Sequence, residues 1–260
     1  MDNSFETIVL GASMVGLGYA CAHPQSLVLE PGELLAPEFT AAFRPITGPV
    51  CMQDSPLIQS LLGAGVLSDD GALDPLAFSA GLFRFAREQR LPVLMPARPV
   101  SVRPAPQGGY LVEFLTSSGL RRKHAWYLLD TRPKEVCRKS LNLLCHDAVP
   151  DMAERLCGAF PLGAESLPGG VEGESILRIF FSPEDSLRAA RQSIIRGWRQ
   201  AFPGGGPHIT AIAFDFDYIP EPGGSLQGAA FSDPADAFLC GSRLLPASLP
   251  DFACEKEDAL

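Results

Sequence analysis

FETIVLGASMVGLGYACAHPQSLVLE, from Phe5 to Glu30, decides how the rest of the chain is read. Thr7 to Leu10 is an apolar run rich in β-branched residues and too short for a helix, so it predicts a buried strand. Gly11 breaks the run and opens the pattern Gly11-x-Ser13-x-x-Gly16, with Met14 inside it and Ala20 four residues beyond Gly16. His23-Pro24 ends the predicted helix, and a second β-rich run, Ser26 to Leu29, closes in Glu30, nineteen residues after Gly11. Strand, glycine turn, helix, strand and acid follow in the order of a dinucleotide-binding βαβ unit.

Each part has a physical reason. Gly11 permits the tight turn, a small residue at Ser13 lets the backbone approach a pyrophosphate, and Gly16 lets the helix lie close to the sheet. The free N–H groups of the first helical turn, at the positive end of the helix dipole, would receive the phosphates. Glu30, followed by Pro31, can accept hydrogen bonds from ribose hydroxyls and disfavours a 2′-phosphate. Ser13 departs from the glycine usual at that position, and the helix is short.

The whole chain is bounded by its composition. Its 260 residues suffice for one large domain or two modest ones, and 46% hydrophobic with 20% charged residues fits a globular protein. A net charge of −9 argues against a nucleic-acid or anionic-membrane surface. The apolar stretch Ile8–Ala22 has an acidic leader and is too short to span a bilayer, so the expected location is cytoplasmic. Seven scattered cysteines without a CxxC pair predict reduced thiols and no metal site. Cys137, and Cys145 beside His146, read as buried structural thiols.

Downstream of Glu30, a loop-rich stretch runs to about Pro56, and its one cation, Arg44, could face a phosphate, an anionic substrate or solvent. Asp74-Pro75 starts a helix to about Gln89, followed by a short strand, Val93 to Met95. Val100–Val102, Tyr110–Leu115 and Leu120–Trp126 read as a meander, separated by Gly108-Gly109 and Ser117-Ser118-Gly119. Trp126 to Leu129 then reads as a buried return strand ending in Asp130-Thr131.

This order resembles the FAD-dependent oxidoreductases of the two-dinucleotide-binding-fold type. In that family the return strand ends in a threonine-glycine sequence; here Thr131 is followed by Arg132. The resemblance implies an α/β fold: a Rossmann-like FAD/NAD(P)-binding domain with a β-meander, plus a smaller α+β antiparallel-sheet domain. It implies FAD as cofactor and a site drawn from Gly11, Ser13, Met14, Gly16, Glu30, Pro31 and Arg44, with Val100 near the adenine. The resemblance adds Thr131, at the end of the return strand, to the cofactor site, and places Gly241 and Ser242 toward the flavin, because Asp236–Ser242 is similar to the family's late strand, although no final helix is expected after it.

Between these parts, Lys139–Val149 and Ser175–Phe181 are predicted strands, and Ser182-Pro183 a helix cap. His208–Tyr218 alternates as one strand, with Asp215 and Asp217 paired on one face as a metal or acid–base candidate against a solvated face. The expected division is 1–132, 133–224 and 225–260.

Three functions are open at this level. The first is a compact FAD-binding oxidoreductase acting on a small molecule, without a nameable catalytic residue beyond the candidates His146 and His208. The second is a degenerate, non-catalytic binding or partner module, favoured by Ser13, Arg132 and the absent helix. The third is another nucleotide enzyme, dependent on NAD or a methyl donor, against which the meander speaks. A protein partner or a homo-oligomer is compatible with each.

Overall fold

The apolar run that opens the chain forms β1 (Ser4–Leu10), with Ile8, Val9 and Leu10 wholly buried. The computed structural model describes residues 4–46, 49–69, 71, 73–132, 138–147, 149, 151–168, 173–219 and 230–250. Helix α1 (Met14–Ala22) and strand β2 (Ser26–Leu29) complete the expected βαβ unit. The long segment after β2 holds α2 (Pro37–Thr40) and α3 (Pro56–Gly63), ahead of α4 (Pro75–Glu88) and β3 (Val93–Leu94). Asp74 caps α4 as expected, its carboxylate accepting from the Leu76 and Ala77 N–H groups.

Strands β4 (Ala97–Pro104), β5 (Tyr110–Thr116) and β6 (Gly119–Asp130) form the meander. The separately predicted third meander strand and return strand are one element, β6. It pairs antiparallel with β5 and parallel with β1. The sheet order is β3-β2-β1-β6-β5-β4. Two apolar layers cover it. Val9, Val28 and Leu129 face α1, α3 and α4, while Ile8, Leu10 and Leu29 face Val112 and Phe114 of the meander. Each fully buried aliphatic side chain of this kind stabilises the fold by about 2 kcal/mol.

A second, antiparallel sheet follows, built from β7 (Arg138–His146), α5 (Met152–Cys157), β8 (Ala164–Pro168) and β9 (Glu174–Phe181). It is completed by α6 (Leu187–Ala201), β10 (His208–Ile212) and β11 (Asp217–Ile219), with β10 and β11 both on β7. Two expectations are corrected here. The cap of α6 is Ser186, not Ser182, because Ser182–Asp185 closes a turn on itself and Lys139 Nζ donates to the Pro183 and Asp185 carbonyls. The single strand 208–218 is interrupted because the Phe214 N–H donates to the Ala41 carbonyl at 2.7 Å instead of to β7.

The last helix, α7 (Pro234–Ser242), corrects a third expectation: 236–242 is helical, not a strand. Asp233 caps it and Pro234 occupies its first turn, the same opening as in α4. It packs on α1 through glycines: a Cβ on Gly18 would overlap the Phe238 carbonyl, and one on Gly241 the Val15 carbonyl. Among the described residues no helix is long and apolar enough to cross a membrane. Cys137 and Cys254 lie outside the described residues; Cys145 is buried, and burial pushes its thiol up to about 12.

Candidate functional site

Parallel pairing aligns Leu10 with Leu29 on one side and with Asp130 on the other. The chain therefore leaves the sheet at Gly11, Glu30 and Thr131 side by side, at the carboxyl ends where open α/β sheets bind their ligands. Gly11 adopts φ +93°, which favours glycine, and a Cβ on Gly16 would stand 2.6 Å from the Gly11 carbonyl oxygen. Thr131 is buried and its hydroxyl donates to the Leu10 and Gly11 carbonyls, fixing β6 to the turn. Ser13 caps α1, its hydroxyl accepting from the Gly16 N–H at 3.1 Å.

Two donors of this turn, the Ala12 and Met14 N–H groups, already have carboxylate acceptors. Glu30 Oε2 accepts from the Ala12 N–H at 2.7 Å, while Glu30 Oε1 accepts from the Gly32 N–H beyond the exposed Pro31. Glu38 Oε1, on α2, accepts from the Met14 N–H at 2.8 Å. Residues 11–20 are all buried, with Leu35 and Ala36 packed in the same core as Ala12 and Met14. The Ala36 N–H donates to the Ala12 carbonyl, drawing the loop down onto the turn.

These carboxyl groups are crowded. Burial pushes Glu38 up to about 7, helped by the nearby charge of Glu30 and opposed by the Met14 N–H and Arg44. Burial also raises Glu30 and Asp215, and the charge of Asp215 adds to the rise at Glu30 while Arg132 opposes it. Arg132 forms a bidentate ion pair with Asp130, and its Cγ would lie 3.0 Å from a Cβ at Gly11.

A dinucleotide does not fit this arrangement. Its pyrophosphate would need the N–H groups that Glu30 and Glu38 hold, and would bring negative charge against two enclosed carboxyl groups. The sequence signalled the turn but not Glu38, whose only local mark is an acid following a proline in the long loop.

The remaining candidates lie elsewhere. Arg44 is buried in a polar knot: it donates to Asp217 Oδ1 from Nε at 2.9 Å and to the Tyr218 and Phe231 carbonyls. Arg178 and Asn142 hold the other oxygen of Asp217. Asp217 is thus committed to structure, and Asp215 stands outside β11 rather than paired with it on one strand face. Val100 is 61% exposed at a register shift in β4, on the outer edge of the meander. Gly241 contacts the backbone of α1, and the Ser242 hydroxyl donates to the Leu239 carbonyl. His146 and His208 are cross-strand partners at one end of the second sheet, with Glu174 opposite His146. Among the described residues no group of three His, Cys, Asp or Glu side chains could hold a metal ion.

No protein-family model and no curated protein matches the chain. Solved structures do. BexE, studied for oxidation during BE-7585A biosynthesis, superposes with a TM-score of 0.55 at 14% identity, over 80% of this chain and 52% of that one. CabE, an aromatic hydroxylase from angucycline biosynthesis, gives 0.52 at 14% identity, over 80% and 51%. OxyS anhydrotetracycline hydroxylase from Streptomyces rimosus gives 0.51 at 12% identity, over 81% and 51%. The chain spans about half the length of these proteins and shares their fold.

Proposed function

We propose that this chain is a binding or partner module built on the FAD-dependent hydroxylase fold, and that it holds no flavin at its glycine turn. The observation that carries this reading is the occupation of the Ala12 and Met14 N–H groups by Glu30 and Glu38, with the buried Leu35 and Ala36 packed beside them. The fold keeps the scaffold that positions a dinucleotide, namely Gly11, Gly16 and Thr131, while the acceptor place at the helix N-terminus is filled from within. Incubation with excess FAD followed by desalting tests this: the protein emerges colourless. Retained flavin absorbance would overturn it.

The likeness to hydroxylases supports a second reading, a flavin-dependent oxidoreductase acting on a small molecule. That reading requires the 31–46 segment to leave the turn before FAD enters. In it Gly11, Ser13, Gly16 and Glu30 would hold the ADP half, and the flavin would supply the redox chemistry. A flavin spectrum that survives desalting distinguishes the two.

A further inference from the structure

Helix α6 has two faces of opposite character. Ala190, Ile194 and Gly197 are buried, and Ala190 and Ile194 pack in the core of the second sheet with Leu141 and Leu143. The helical period places Arg188, Arg191, Arg196 and Arg199 together on the other face, with Ile195, 46% exposed, among them. From Arg188 to Arg199 this stripe is about 16 Å long. The helix holds four of the chain's 21 cationic residues and none of its 30 acids. The chain's net charge is −9, so −13 remains on the other residues once the helix's +4 is set aside.

Exposed charges support a helix when acids and bases face each other three or four residues apart. Here Arg188 with Arg191, and Arg196 with Arg199, are pairs of like sign. Arg188 also stands in the first turn, at the positive end of the helix dipole, where a cation is disfavoured. Among the described residues none of the four arginines has a hydrogen-bond or ion-pair partner. By contrast, the exposed Arg84, Arg122 and Arg155 on other elements pair with Glu88, Glu113 and Asp151. We propose that this face of α6 docks an acidic segment of a partner protein, whose carboxylates meet the arginines while an apolar side chain covers Ile195. Guanidinium groups suit carboxylates because they pair with them in a fork. An extended polyanion, a nucleic acid or an anionic bilayer, would reach past the stripe onto a surface that repels it. The stripe also lacks what those partners use: Trp198 is half-buried against the core, and Ile195 alone is little to insert into lipid. A short acidic segment ends where the stripe ends. The inference deepens the partner-module reading and rests on its partner-binding half alone, not on the state of the glycine turn.

Fluorescence anisotropy at low salt tests it, with a labelled helical peptide that carries four glutamates and a leucine on one face. The wild type binds this peptide. Arg188→Glu with Arg199→Glu weakens binding at least ~10-fold, and Arg188→Lys with Arg199→Lys recovers part of the loss. Arg98→Glu with Arg121→Glu makes the same change of charge at exposed positions of the meander and leaves binding intact. Circular dichroism matching the wild type assigns the loss to the surface rather than to folding. A wild type that does not bind the peptide, or an equal loss in the meander variant, would overturn the inference. So would tighter binding of a single-stranded oligonucleotide or of phosphatidylserine vesicles than of the peptide. The two readings fail separately: flavin retained after desalting leaves this surface standing, and a peptide that does not bind leaves the colourless turn standing.

Discussion

Glu38 accepts a hydrogen bond from the backbone N–H of Met14 at 2.8 Å, so a loop acid occupies the first donor of the helix that follows the glycine turn. The contact links the segment after β2 to the buried glycine turn, and the burial of Glu38 there, which outweighs the opposing Met14 N–H, gives the protein a pH-dependent stability. The folded-state value of Glu38 lies at about 7, above the 4.5 of an unperturbed glutamate. A raised carboxyl binds its proton more tightly in the folded state. Its contribution to stability is therefore fully present below about pH 4.5 and is lost as pH rises through about 7. Between those limits the loss amounts to at most about 3 kcal/mol. Thermal melts from pH 5 to pH 8.5 are expected to fall with rising pH, and Glu38→Gln is expected to flatten that slope. Glu30 and Asp215 are raised by burial and act in the same direction. A slope unchanged in Glu38→Gln would remove Glu38 as its source.

The α1–α7 crossing has no room for a methyl group at either glycine. Gly18→Ala and Gly241→Ala each press a Cβ into a carbonyl of the opposing helix and are expected to destabilise the chain by more than about 3 kcal/mol. Gly63→Ala serves as the control, because a Cβ there meets no atom within 4 Å. It should leave stability unchanged or raise it by up to about 1 kcal/mol. Urea unfolding of the three variants checks the contrast, and equal effects would contradict the packing.

Asp217 is buried between Arg44 and Arg178, and Arg44 joins the loop after α2 to the second sheet. Arg44→Ala leaves Arg178 to balance Asp217 and frees the Tyr218 and Phe231 carbonyls, with an expected cost of about 3 kcal/mol or more. Arg44→Lys restores charge but not the forked geometry and should recover only part of that loss. If denaturant unfolding finds Arg44→Ala as stable as the wild type, the knot is not what holds the loop to the second sheet.

Local signals carried much of the fold. The short apolar run, Gly11 and the Ser26–Leu29 strand placed the βαβ unit, and the Gly108-Gly109 and Ser117-Ser118-Gly119 turns placed the meander. Asp74-Pro75 marks the start of α4, while the same opening at Asp233-Pro234 is masked by the apolar run Ala237–Cys240, which looks like a strand. The break between β10 and β11 was beyond reach for a different reason. It is made by the Ala41 carbonyl, which is remote in sequence from Phe214. Glu38 is a case of the same kind: its partner is set by how the loop folds back, and nothing near it in sequence marks that partner. The turn itself was legible from its glycines; its closure was not.

The most direct test of the closed cradle is an amide spectrum of the wild-type protein titrated with FAD, read at Ala12 and Met14. These N–H groups belong to Glu30 and Glu38 in the structure, so their shifts are expected to stay fixed as FAD is added. Saturable movement of both amides would mean that the phosphates of FAD displace the carboxylates, and would contradict the account.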